Sequence, residues 1–222
     1  MMGQSFHQQV VEAVQPLWDH TCTHPFLVAV AEGTLPDAAF ATWLVQDYFY
    51  VRELVPFMGI LIAKAPPEWR PPLAEAVVVF NRELDLFRQQ AGALGISLDG
   101  QEMGPTCHAY VQFMLATAYA RPFAEAFTVH YAAERAYLDA WTWVRDHQRG
   151  PSRWQAFIDH WSSDSFRTYV TWLAETLDAL ANRASSAERN AMEHAFRMTV
   201  RYEYLFWEMA LTRQMWPDAT LK

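Results

Sequence analysis

The 222-residue sequence predicts an all-α fold, a single domain over residues 1–222 built as a bundle of about eight helices. Three observations carry this expectation. Apolar residues recur at spacings of three and four through long segments, the period of a helix with one buried stripe. No segment shows the alternation that marks a strand-rich region. Gly, Pro and Ser fall in short clusters that cut the periodic stretches into helix-sized pieces, with no internal repeat or low-complexity linker.

Taken in order, the first helix runs from about Ser5 to His20. Gly33-Thr34-Leu35-Pro36-Asp37 is a turn followed by a start signal, with Pro near the first helical position. The helix it opens reaches about Lys64 and is expected to kink or break near Pro56. Ala65-Pro66-Pro67 and Arg70-Pro71-Pro72 bracket the next break, and Leu73 to Leu94 is helical, ending at Gly95. Gly104-Pro105-Thr106 opens a helix to about Ala120, Arg121-Pro122 punctuates it, and a long helix follows to about His147. Gly150-Pro151-Ser152 starts a short helix. Ser162-Ser163-Asp164 offers an N-cap for the next, and Ser185-Ser186 for the last, which runs to about Met215.

Composition narrows the function. Hydrophobic residues make up 52% and aromatics 15%, with 10 Trp, so a dense core and aromatic-lined cavities are available. Only 19% of residues are charged, which predicts that part of the surface is covered by self-association. A net charge of -8 with no basic tract argues against nucleic acid or an anionic membrane as partner. Cys22 and Cys107 are too few for a disulfide framework or a thiolate zinc site, which fits a reducing, cytoplasmic setting. The N-terminal stretch lacks the basic and apolar regions of a leader, and Leu54 to Ala65, the most apolar run, is too short to span a bilayer.

Three helices each carry one carboxylate among aromatic residues. Glu203 sits among Tyr202, Tyr204, Phe206 and Trp207, and shares a face with Phe206. Held between rings, it becomes a general acid or base for work near neutral pH; turned to water, it is the polar face of an amphipathic helix. Trp43, Asp47 and Tyr50 are spaced four and then three, hence on one face, where Asp47 either meets a ligand or caps a neighbouring helix end. His130, Glu134 and Tyr137 repeat that spacing, with Ala133 on the same broad face. In the structural reading His130 is a satisfied core histidine and Glu134 pairs with Arg135 or another helix. Tyr110 and Phe113 open an apolar face of the kind that is more often plain core than a ligand platform. Burying three unpaired carboxylates calls for a ligand, and a flat amine-bearing heterocycle suits: rings for stacking, carboxylates for its amino groups and ring nitrogens.

The chain resembles the TenA family of thiamin-salvage proteins, in the haem-oxygenase-like helical superfamily. The resemblance rests on His24-Pro25-Phe26, Gly33-Thr34-Leu35-Pro36, Gln46-Asp47-Tyr48-Phe49-Tyr50, Pro105-Thr106, Phe123-Ala124-Glu125, Ser163-Asp164-Ser165-Phe166 and Tyr202-Glu203-Tyr204-Leu205-Phe206-Trp207, collinear over nearly the whole chain. It implies a homotetramer that binds a methylated aminopyrimidine and breaks a C–N bond to recover the pyrimidine for thiamin, with no cofactor and no metal. Asp47 matches the aspartate that meets the pyrimidine amine and ring nitrogen. Tyr50, Tyr110 and Tyr137 match pocket-lining positions, joined by Phe206, and Glu203 matches the carboxylate that handles protons at the scissile carbon. The best-known branch has a cysteine nucleophile where Ala133 stands here. The chain therefore resembles the cysteine-lacking branch, in which a glutamate works near that place, and Glu134 is the candidate.

The expected reaction is hydrolysis of N-formyl-4-amino-5-aminomethyl-2-methylpyrimidine by carboxylate-activated water. Two alternatives stand beside it. One is a metal-dependent oxidase or oxygenase of the same superfamily, drawing ligands from Glu83, His130, Glu134, His160 and Asp164, although a helix break at Ser162-Ser163 separates the last two. The other is a non-catalytic pyrimidine-binding protein.

Overall fold

The computed structural model describes residues 4–220, so Met1 to Gly3, where the N-terminal stretch discussed above begins, lie outside the described residues. Among the described residues are ten α-helices, two short 3-10 turns and no strand: α1 Phe6–Glu12, α2 Gln15–Cys22, α3 Pro25–Glu32, α4 Asp37–Lys64, α5 Arg70–Ala93, α6 Pro105–Ala120, α7 Phe123–His147, α8 Gln155–Trp161, α9 Asp164–Arg183 and α10 Ser186–Thr212. The eight-part series read from the sequence is all here, with two refinements at its start. The first stretch divides into α1 and α2, because Pro16 at the second position of α2 lacks an N–H and its ring excludes the Glu12 carbonyl that a continuous helix would present. Between His24 and Gly33 lies a further helix, α3, with Pro25 in its first turn and Gly33 closing it at φ 71°.

Pro56 does not break its helix. α4 runs from Asp37 to Lys64 with Pro56 inside it, so the break expected there is not made. At the far end, Lys64 Nζ donates to the carbonyls of Ala118, Tyr119 and Arg121, placing a cation on the exposed carbonyls at the end of α6. The last helix stops at Thr212, short of Met215, because Arg213 adopts a left-handed conformation (φ 55°).

The chain falls into two compact units. The first runs to Leu35 and resumes over Ala124–Glu208; the second takes Pro36–Phe123 and the chain from Met209 onward. The first unit has an aromatic interior. Trp18 stacks on Phe196 at 5.6 Å, Phe26 on Trp207 at 5.4 Å and Trp141 on Trp161 at 5.6 Å. His24 explains its place in this unit: its Nδ1 accepts the Phe26 N–H to cap α3, while Nε2 reaches Glu208 of α10 at 3.2 Å. In the second unit α4 packs on α5 and α6 around the buried Phe40, Trp43, Phe57, Phe87 and Tyr110. No helix among the described residues is long and apolar enough to cross a membrane.

Candidate functional site

In the second unit the spacing of Trp43, Asp47 and Tyr50 does what the helical period predicts. All three are buried, Asp47 to 1% exposure. The Tyr50 ring meets Tyr110 of α6, with centroids 4.9 Å apart and planes at 38°. The start of α6 is tied to α4 by the residue just before Asp47. Gln46 Oε1 accepts the Gly104 N–H at 2.7 Å, and its Nε2 donates to the Glu102 carbonyl at 3.0 Å. Cys107 completes the tie, its thiol donating to the Gln46 carbonyl at 3.3 Å. Burial pushes the Cys107 thiol far up, and the charge of Asp47 adds to the push, so this sulfur is a protonated donor rather than a nucleophile.

In the first unit the proton-handling candidates lie on α7 and α10. Glu203 is 1% exposed, which overturns the reading of it as a solvated polar face. Phe206 and Tyr137 are buried, and Glu134 is 8% exposed. The two helices meet at Tyr131 against Phe196 (6.1 Å) and at Tyr137 stacked on Trp207 (5.3 Å). In sequence Glu134 falls between Tyr131 and Tyr137, and Glu203 between Phe196 and Trp207, and both carboxylates are buried. Ala133, beside Glu134, is buried too.

Glu134 is not held by Arg135, which pairs instead with Asp139 at 2.9 Å. One turn earlier, His130 Nδ1 lies 3.6 Å from Glu134 Oε1. His130 Nε2 lies 2.7 Å from the Tyr169 hydroxyl of α9. Burial pushes the His130 imidazole down to about 3, so it is neutral at physiological pH. Burial, with contributions from Asp139 and Glu203, pushes the Cys22 thiol well up, so this cysteine is no nucleophile either.

Thus Asp47, Tyr50 and Tyr110 belong to the second unit, and Glu134, Tyr137, Glu203 and Phe206 to the first. Among the described residues no group of three or more His, Cys, Asp or Glu side chains gathers as a metal site would require. Glu83 lies in the second unit, and the N-cap Ser163, whose Oγ accepts the Phe166 N–H, parts His160 from Asp164. Sequence reasoning missed Tyr169 and the structural use of Gln46. Tyr169 lies 39 residues from its histidine, and no periodicity links the two. Gln46 did carry a signal, a buried amide on an apolar helix face, which must find backbone partners.

The sequence model of the TENA/THI-4/PQQC family matches residues 11–213. The chain is 27% identical to an aminopyrimidine aminohydrolase of Halalkalibacterium halodurans, covering 96% of this chain and 98% of that one. It is similar to the solved structure of a TenA homologue from Pyrococcus furiosus, with 36% identity, a TM-score of 0.90, and coverage of 92% of this chain and 99% of that one. A Shewanella denitrificans domain with a heme oxygenase-like fold matches at TM-score 0.74 over 93% of this chain and 92% of that one; at 11% identity, that likeness concerns the fold alone.

Proposed function

The chain belongs to the TENA/THI-4/PQQC family, and from that premise we propose that it is a thiamin-salvage hydrolase that breaks a C–N bond of an aminopyrimidine. Its substrate in this reading is N-formyl-4-amino-5-aminomethyl-2-methylpyrimidine, and its products are the free amine and formate. The reading places the chain in the cysteine-lacking branch of the family. Ala133 stands where the other branch has its nucleophile, and Cys22 and Cys107 are buried thiols, Cys107 donating to the Gln46 carbonyl.

The observation that carries the reading is the burial of Glu134 and Glu203 on two helices that meet at Tyr131–Phe196 and Tyr137–Trp207. Two carboxyl groups with little access to water are the equipment of acid–base hydrolysis. One takes a proton from water as its oxygen attacks the formyl carbon. The resulting tetrahedral intermediate collapses, the C–N bond breaks, and the nitrogen leaves as an amine after receiving a proton from the second carboxyl or from Tyr137. Asp47 is assigned to the ring amine and ring nitrogen. Tyr50, Tyr110 and Phe206 are assigned to the faces and edges of the ring. No step calls for a metal or a cofactor.

A homotetramer in the cytoplasm belongs to the same proposal. The exposed Val78 and Val79 on α5 are apolar surface that self-association would cover, and light scattering after gel filtration measures the assembly. The function is tested by incubating purified, metal-free protein with the formylated pyrimidine and following amine release. Turnover lost in Glu203→Gln and Asp47→Asn supports the hydrolase. Binding without turnover moves the reading to a pyrimidine-binding protein, and activity restored only by iron moves it to the oxidase class.

A further inference from the structure

Tyr169, His130 and Glu134 form a short polar line inside the first unit. The Tyr169 hydroxyl is 2.7 Å from His130 Nε2, and His130 Nδ1 faces Glu134 Oε1 at 3.6 Å. The imidazole is buried, as is most of Glu134. A neutral imidazole donates through one nitrogen and accepts through the other, so the two neighbours decide which nitrogen carries the proton. A phenol can donate or accept, whereas an ionised carboxylate only accepts. At 3.6 Å the Nδ1 contact with Glu134 is longer than a hydrogen bond and acts through charge, and beside an ionised carboxylate that charge favours the proton on Nδ1, with the phenol donating to Nε2.

We infer that His130, aimed by the Tyr169 hydroxyl, is a positioning residue that presents its Nδ1–H to Glu134. The inference rests on the proposed hydrolase reading insofar as it gives Glu134 a task. A carboxylate faced by the positive end of this N–H dipole is favoured in its ionised form, the form a general base requires, so Glu134 activates the water and Glu203 protonates the leaving nitrogen. The opposite arrangement, with Glu134 donating to Nδ1 and Nε2–H pointing to Tyr169, would make Glu134 the acid.

Two measurements test it. The imidazole nitrogen shifts of 15N-labelled protein report the tautomer without any substrate, with the His130 signals identified by their loss in His130→Asn. A proton on Nδ1 and a bare Nε2, with this preference lost in Tyr169→Phe, is the expected result; a proton on Nε2 overturns the inference. The second measurement separates positioning from packing. His130→Asn keeps a donor close to the place of Nδ1, and His130→Leu fills the space without one. The expected result is that His130→Leu lowers kcat by about 10- to 100-fold with KM little changed, while His130→Asn retains most of kcat. Equal activity of the two variants, or a more active His130→Leu, reduces His130 to a packing residue and overturns the inference. If the wild-type protein itself releases no amine, the hydrolase reading fails on its own, and the tautomer measurement alone decides the inference.

Discussion

Tyr137 lies ring on ring with Trp207, centroids 5.3 Å apart and planes 27° apart, joining α7 to α10 one turn beyond Glu134 and one turn beyond Glu203. Trp207 also stacks on Phe26 and meets Trp141 edge to face, so one indole ties three helices of the first unit. Its own N–H meets no acceptor among the described residues. Replacing Trp207 by Phe therefore removes packing without removing a hydrogen bond. The expected cost is about 1–2 kcal/mol, read as a lower denaturant midpoint with an unchanged m-value. A cost below a few tenths of a kcal/mol would mean that the indole does not hold the two helices together.

Glu203→Gln and Glu134→Gln keep side-chain shape and remove the ability to exchange a proton. In the hydrolase reading each lowers kcat by about 100- to 10,000-fold while the pyrimidine still binds. Single-turnover amine release measures the chemistry, and a ligand-induced rise in Tm measures the binding. Full activity in Glu203→Gln would falsify the proton-transfer assignment. Activity and binding lost together would instead locate Glu203 in ligand recognition.

Gln46→Ala tests how Asp47 is supported. The substitution leaves the buried Gly104 N–H without the Gln46 acceptor and the Glu102 carbonyl without its donor. The loss of stability is expected at about 1–3 kcal/mol, with faster amide exchange at Gly104. Because the tie sits one residue from Asp47, KM for the pyrimidine should rise as well. An unaltered Gly104 exchange rate would show that the loop is held by other contacts, such as the Trp216 Nε1–H bond to the Met103 carbonyl.

The helical architecture was legible because it follows from local rules, whereas the burial of each carboxylate stood beside a solvated, capping or paired alternative that spacing alone could not decide. Three- and four-residue spacing put Trp43, Asp47 and Tyr50 on one buried face, and Gly104-Pro105 and Ser163 opened helices where turn and cap chemistry says they should. α3 was missed although Pro25 and Gly33 bracket it, because eight residues show too little periodicity to stand out. The break expected at Pro56 failed for the opposite reason. A proline costs a helix one hydrogen bond and some strain, and burial of Leu54, Phe57, Met58 and Leu61 on the same helix outweighs that local loss. What no local rule can supply is the partner across space. His130 could be read as a core histidine or as a site residue, and the Tyr169 hydroxyl arriving from α9 gives its ring a direction that no spacing in the sequence announces.

The burial of His130 also sets a pH dependence whose sign can be worked out. In the folded chain the imidazole stays neutral down to a pKa of about 3, whereas the unfolded chain takes up that proton near 6.5. Between these values the unfolded state binds the extra proton, so stability rises with pH. The contribution is complete above about pH 6.5 and is lost progressively as pH falls toward 3. The slope from this one group is at most about 1.4 kcal/mol per pH unit. The chain has 8 histidines and many carboxylates, so the informative quantity is the difference between wild type and His130→Leu in urea midpoints across a pH series. That difference should be flat above pH 7 and shrink as the solution is acidified below 6.5, since only the wild type carries the buried base. Parallel curves throughout the acid range would mean that His130 accepts a proton in the folded state, and a charged imidazole beside Glu134 would then hold that carboxylate as an ion pair.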